Sequence, residues 1–280
     1  MANGIIIVDK PADWTSQDVA AKLRGVFHER RIGHGGTLDP MATGGLPIFV
    51  GRATRAVPYF ESAEKEYIAT LHLGLETDTQ DITGTCLRTA PVAVTQAELE
   101  HVLSQFLGPQ QQLPPMISSV RVNGIKLYEY ARANETVERP LRTVEIYEME
   151  ALDARSLKFR VACSSGTYVR SLCRDMAEAS GNLGCLSSLV RSRVGRFALD
   201  ECYTLQQVAE GDFSLLPVET LLTHLPAVRY APVQDIYNGK SVHLAVDTPR
   251  PRVCMYDQDQ AIAVYEYSHG DVYRCVRGIW

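Results

Sequence analysis

The chain has 280 residues, 45% of them hydrophobic, and a formal net charge of −5. That supports a sizeable core with a small appendage, and no apolar run approaches the ~18–20 residues a membrane-spanning helix needs. Seven cysteines include no Cys-x-x-Cys pair, and no histidines stand at zinc-like spacing, so reduced thiols and no structural metal are expected.

In chain order, Gly4 to Val8 reads as a buried strand. Asp9 and Lys10 follow at once, unlike the apolar stretch of a secretory signal, so the expected location is the cytoplasm. Ser16 can cap a helix from Gln17 to about Phe27, with Val19, Ala20, Leu23, Val26 and Phe27 on its apolar face. The run Gly33 to Gly45 then places Asp39 in a turn flanked by glycines, Thr37 and Pro40, just before the apolar stretch Leu46 to Val50. Such a turn can present a carboxylate for catalysis; an isolated Asp-Pro reads as an ordinary Asx-turn, and the full thirteen-residue run shifts that balance.

Lys65 to Leu73 alternates Tyr67, Ala69, Leu71 and Leu73 with Ile68, Thr70 and His72, the period of a strand. Thr95 and Glu98 form a capping box for a helix carrying Leu99, Val102, Leu103 and Phe106 and closed by Gly108. The segment Gln110 to Arg142 opens with Gln-Gln-Gln-Leu-Pro-Pro, has a helical pattern only over Leu127 to Ala133, and reads as a mobile excursion from the core. Strands are expected over Val144–Leu152 and Leu157–Cys163, and a helix from Thr167 to Gly181 with Val169, Leu172, Cys173, Met176 and Ala177 inward. Beyond a boundary near Pro217 to Pro226, the runs Ala261–Tyr267 and Val272–Val276 suggest a small β unit. Strands interleaved with isolated helices, without a βαβ rhythm or phosphate loop, favour an α+β fold.

Charge is uneven along the chain. Residues 155–196 hold eight basic residues against two acidic ones, whereas residues 197–280 hold six against eleven. A basic face on an acidic protein would suit a polyanionic partner, and a solvated charged surface is the plain alternative.

The run Gly33 to Gly45 closely resembles the active-site motif of the TruB-type tRNA pseudouridine-55 synthases, Gly-His-x-Gly-x-Leu-Asp-Pro-x-Ala-Thr-Gly. Similarity continues in order through Lys65-Glu66-Tyr67, Gln112-Leu113-Pro114-Pro115, Lys126 to Arg132 and Cys163 to Arg170. The resemblance implies a pseudouridine synthase fold with a mixed, mostly antiparallel central sheet flanked by helices. It also implies a catalytic domain over 1–220 with a thumb-like insertion at about 110–142, and a small PUA-like β domain over 225–280.

It further implies an essential carboxylate at Asp39, an arginine paired with it at Arg170, and an aromatic ring at Tyr67 that stacks on the target base and takes a ribose proton. Leu189 and Tyr168 would border the base, and His34 would fill the space left when the uridine flips out. Lys10, Arg31 and Lys65 are candidate phosphate contacts. Read alone, Tyr67 is a core aromatic, Leu189 is core, His34 is a turn residue, and the three cations are solvated charges. Arg170 differs, because a cation at a helix start is unfavourable without a specific partner. The implied partner is the T stem-loop of tRNA, bound by a monomer without metal, cofactor or membrane.

The chain departs from the motif pattern at Ile117-Ser118-Ser119-Val120-Arg121, where Tyr-Ser-Ala-x-Lys is usual, at Asn134 in place of Gly, and at Gly45 in place of an apolar residue. Two other readings compete: an RNA-binding protein that helps tRNA fold, and a glycoside hydrolase needing a second carboxylate from Glu76, Asp78 or Asp81.

Overall fold

The run Ile5 to Val8 has no polar alternation because both of its faces are covered. The computed structural model describes residues 2–61, 63–92, 94–153, 156–245 and 250–280; Arg155 of the basic stretch lies outside them. Strand β1 (Gly4–Lys10) turns Ile6 and Val8 toward Val19, Ala20 and Leu23 of helix α1 (Ser16–Phe27), and Ile5 and Ile7 into a second cluster on the opposite face.

The cap of α1 is Thr15 rather than Ser16. Thr15 Oγ1 accepts from the Asp18 amide at 3.0 Å and the Asp18 carboxylate accepts from the Thr15 amide at 2.9 Å, a reciprocal box that Ser16 could not close. Ser16 is buried, and its hydroxyl serves another purpose described below.

Along the chain follow β2 (Ile32–His34), β3 (Thr43–Val50), β4 (Lys65–Leu73), α2 (Gln96–Gln105), β5 (Gly108–Gln112), α3 (Leu127–Arg132), β6 (Arg142–Asp153), β7 (Lys158–Cys163), α4 (Val169–Ala179), β8 (Gly184–Val194) and β9 (Phe197–Ala198). Among the described residues the nine strands form one sheet in the order β1-β3-β8-β4-β7-β6-β5, with β2 beside β3 and β9 beside β8. The pairing is antiparallel except between β8 and β3. Helices α1 and α4 cover one face, where Tyr67, Ala69, Leu71 and Leu73 point inward with the period of two read from the sequence.

Helix α2 carries the Thr95–Glu98 capping box but ends at Gln105 on a Phe106 cap. Gly108 lies beyond the helix, and its φ of +81° serves the turn into β5. Residues 113–141 leave the sheet between β5 and β6, whose Gln112 and Arg142 are paired, and return after a hairpin and α3. Asn134, where the pattern expects Gly, takes φ +55°, a left-handed conformation that Asn tolerates.

The C-terminal strands β10 (Ala227–Arg229), β11 (Val242–His243), β12 (Arg252–Asp257), β13 (Gln260–His269) and β14 (Val272–Gly278) form a separate sheet. One of its faces closes its own core through Val253, Met255, Tyr265 and Tyr273. Cys254, Ala261, Val264 and Ile279 instead meet Ile5, Ile7 and Phe49 of the large sheet and Phe60 of the short helix Val57–Glu61. The architecture is α+β, a mixed, mostly antiparallel sheet flanked by helices with a small C-terminal β unit, as the sequence suggested.

Candidate active site

The loop carrying Asp39 leaves the sheet where β3 changes partner. On one edge β3 pairs with β2 through Ile48 to Val50 and with β8 through Thr43 and Gly44, and residues 35–42 emerge between the two. Gly44 has φ +104°, and a Cβ there would stand 2.3 Å from the Arg191 carbonyl oxygen, so the close strand contact requires glycine. Gly45, the departure from the motif, lies where a Cβ would come within 3.2 Å of Cys202 Sγ; the sulfur fills that space.

The loop backbone is tied at successive positions. The Ser16 hydroxyl accepts from the Leu38 amide at 2.9 Å and donates to the Leu38 carbonyl at 3.2 Å. The Asp39 carbonyl accepts from the Ala42 amide, and the Pro40 carbonyl from the Asp13 amide and from Lys10 Nζ. The Asp39 side chain turns outward, to Arg170, instead of capping its own turn.

Arg170 is the second residue of α4 and only 3% exposed. Its Nη2 donates to Asp39 Oδ1 at 3.1 Å and its Nε lies 2.8 Å from Oδ2, an ion-pair distance without hydrogen-bond alignment, so the guanidinium stands side-on to the carboxylate with one hydrogen bond and one charge contact. The rest of the guanidinium is also anchored: Nη1 donates to the Thr79 carbonyl at 2.9 Å and Nη2 to the Ile117 carbonyl at 2.8 Å, while Asp81 Oδ2 stands 3.8 Å from Nε. Ile117 begins the segment that departs from the motif, and the contact uses its backbone, which the side-chain change leaves intact.

Asp39 keeps 32% side-chain exposure at a cavity of about 570 Å³. Burial pushes its carboxyl above the ordinary carboxylate value, with Asp81 adding to the rise and the Arg170 guanidinium and Lys10 opposing it.

Tyr67, Lys65, Tyr168 and Leu189 line the same cavity. Tyr67 is buried on β4, and burial raises its hydroxyl's pKa while the adjacent Arg191 guanidinium opposes the rise. Tyr168 precedes α4, where its amide donates to Gln112 Oε1 at 3.0 Å and its carbonyl accepts from Gln112 Nε2 at 3.4 Å. On the outer wall the Tyr128 ring lies between Lys126 Nζ and Arg132 Cζ, 5.3 and 5.1 Å from its centroid. The 113–141 segment thus forms part of the cavity rather than standing clear of it.

Three expected contacts lie outside the cavity lining. Lys10 is fully buried, and its ammonium donates to the carbonyls of Pro11 (2.8 Å), Trp14 (2.6 Å) and Pro40 (3.0 Å). All three donors are used, which corrects the phosphate reading: Lys10 braces the Asp39 loop, and burial lowers its pKa to about 8. His34 sits half-buried in β2 away from the cavity lining. Among the described residues its Nδ1 has no partner, and burial with the Arg191 charge lowers its pKa, favouring the neutral ring. Arg31 is exposed, 3.6 Å from Glu29, and outside the cavity lining.

The sequence reading missed Arg191 and gave Ser16 and Asp81 other roles, a helix cap and a hydrolase carboxylate. Arg191 shares its strand with Leu189 two positions earlier, and that period of two was the available signal. Nothing local announced Ser16, whose partner Leu38 is 22 residues away.

The family model described as TruB family pseudouridylate synthase (N terminal domain) matches residues 24–169. A tRNA pseudouridine synthase B of Bacillus cereus is 38% identical over 283 residues, covering 94% of this chain and 92% of the relative. Another of Streptococcus thermophilus is 40% identical over 289 residues, covering 98% of each. Among solved structures, a chain of a Cbf5-Nop10-Gar1 complex aligns with TM-score 0.75 and 26% identity, over 99% of this chain and 85% of that one. A chain of an H/ACA RNP bound to a substrate RNA containing 2′-deoxyuridine aligns with TM-score 0.73 and 25% identity, over 99% and 85%. With the Asp39 loop, the Arg170 pairing and the shared sheet in place, these matches show that the chain belongs to the TruB family of pseudouridylate synthases.

Proposed function

We propose that the protein is a tRNA pseudouridine synthase that isomerises the T-loop uridine, and that Asp39 is its essential carboxylate. The observation that carries this reading is the side-on Asp39–Arg170 pair at the wall of a cavity that also holds Tyr67 and Leu189. A folded T loop hides the ribose, so the uridine is flipped into the cavity at a cost of about a few kcal/mol. The bond from uracil N1 to the ribose breaks, the base turns, and C5 joins the same sugar carbon. A proton leaves C5 and N1 takes one up, so the change consumes no second substrate and calls on no redox or metal chemistry.

Asp39 acts while ionised, either as nucleophile on the sugar or by assisting departure of uracil to a glycal. Arg170 holds that charge in a closed pocket. Tyr67 stacks on the base and takes a ribose proton on the glycal route, Leu189 and Tyr168 border the base, and His34 fills the vacated space in the stem-loop. Lys65 and the Lys126–Tyr128–Arg132 cluster supply cationic and aromatic contacts at the rim. Residues 1–220 are the catalytic domain with its insertion at 110–142, and 225–280 are the PUA-like domain. The enzyme works as a cytoplasmic monomer without a cofactor; among the described residues no helix is long and apolar enough to cross a membrane.

The test is pseudouridine mapping on an unmodified tRNA transcript incubated with wild type or Asp39→Ala, without metal or nucleotide. Conversion at the T-loop uridine by wild type alone is expected. Retained tRNA binding with no conversion by wild type would favour the tRNA-folding role instead.

A further inference from the structure

Arg191 is 1% exposed, the largest of the fully buried side chains among the described residues. Among the described residues it makes no ion pair. Two carbonyls hold it: Nε donates to Gly45 at 2.7 Å and Nη2 to Gly36 at 3.1 Å, one at each end of the Asp39 loop. A buried guanidinium without a carboxylate is costly, and the fold keeps it beside the cavity. Its backbone is placed with equal care, because Arg191 pairs with Tyr67 across β4 and with Gly44 across β3.

We propose that Arg191 is a positioning residue for the reaction, a fixed cation that orients the Tyr67 hydroxyl at the cavity wall and stabilises its ionised form. This rests on the reading of Tyr67 as the acceptor of the ribose proton. On the glycal route the phenolate takes the C2′ proton and becomes phenol. The C–H electron pair forms the C1′–C2′ double bond, and uracil leaves with the N1–C1′ pair.

Among the described residues three groups act electrostatically on the hydroxyl: Arg191 from β8, paired with Tyr67 across the strands, Cys163 from β7 and Asp39 from the loop. Burial, Cys163 and Asp39 all disfavour the phenolate, and Arg191 alone favours it. Its fork is fixed by the two carbonyls, so the cation does not have to be assembled when substrate arrives.

The test places 2,3,5-trifluorotyrosine at position 67 of the full chain, because its phenol ionises well below that of tyrosine, and follows the fluorine resonance against pH. In R191Q the midpoint is expected to rise by about one unit or more, and in R191K to stay near that of the Arg191 protein. Single-turnover conversion of a tRNA transcript by the natural-tyrosine protein should fall about tenfold or more in R191Q and be largely recovered in R191K, with tRNA affinity unchanged in both. An unmoved midpoint in R191Q, or a rate loss in R191K equal to that in R191Q, overturns the proposal.

If R191Q fails to fold, R191K decides alone: a retained midpoint and rate support a charge role, and loss of either overturns it. Full activity of Tyr67→Phe would instead sink the reading of Tyr67 itself, a failure visible separately because the titration does not depend on turnover.

Discussion

On the proposed reading Asp39 acts while ionised, and its burial raises the pH at which it loses its proton. Activity is therefore expected to fall on the acid side, as pH drops through a pKa above the ordinary carboxylate value. Arg170 pulls that pKa down, so Arg170→Gln should move the acid limb of kcat/KM to higher pH and lower the plateau by about 10²-fold. An acid limb identical in the two proteins would break the assignment. Asp39→Asn should keep tRNA affinity in a filter-binding measurement while conversion disappears. For Lys10 the sign is opposite to that of a paired lysine. With a folded pKa near 8 and an ordinary value of 10.5, the unfolded chain holds the extra proton between those pH values, so this group makes stability rise with pH across that window. Lys10→Met should remove that rise and leave the carbonyls of Pro11, Trp14 and Pro40 unpartnered. The expected loss is about 2–3 kcal/mol, read from urea midpoints at several pH values.

At the scale of elements, the site is made where strand and helix ends are pinned by distant residues. Gly44 lets β3 and β8 approach, and Gly44→Ala meets both a positive φ and an Arg191 oxygen at 2.3 Å. A loss of roughly 2–4 kcal/mol is expected in urea unfolding, with retention of wild-type stability as the contrary result. Gln112 holds both main-chain groups of Tyr168 just before α4, so its side-chain amide fixes the start of the helix that carries Arg170. The contact of Arg170 with the Ile117 carbonyl joins the insertion to the same pair, which explains how the altered side chains of 117–121 are compatible with an assembled site.

The whole molecule is held together by the seam between its two larger sheets. Ile5, Ile7, Phe49 and Phe60 are buried because Cys254, Ala261, Val264 and Ile279 cover them. The C-terminal β unit therefore stabilises the sheet that carries the site, whatever its part in RNA contact. Val264→Asp places an unpaired carboxylate in that seam. It should lower the melting temperature by roughly 5–10 °C while pseudouridine formation persists at temperatures where the fold is kept. An unchanged melting temperature would show that the seam carries little of the stability.

The elements were legible wherever the signal is local. The period of two in β4, the Thr95–Glu98 box before α2, and the uninterrupted apolar run of β1 each follow from a few neighbouring residues and their backbone chemistry. The Asp39 turn was legible for the same reason, since glycines and Pro40 shape a backbone by themselves. What Asp39 faces was not derivable from spacing: Arg170 lies 131 residues away, and only the motif resemblance named it. Lys10 shows the limit most clearly. A lysine after a short strand reads as a solvated charge until the fold folds three carbonyls around it. Arg191 counted as one more cation in a basic stretch until the loop closed over it. Local sequence decides backbone geometry because its forces act within a few residues, whereas charge, burial and partner depend on which distant segments pack together, and only the tertiary structure decides that.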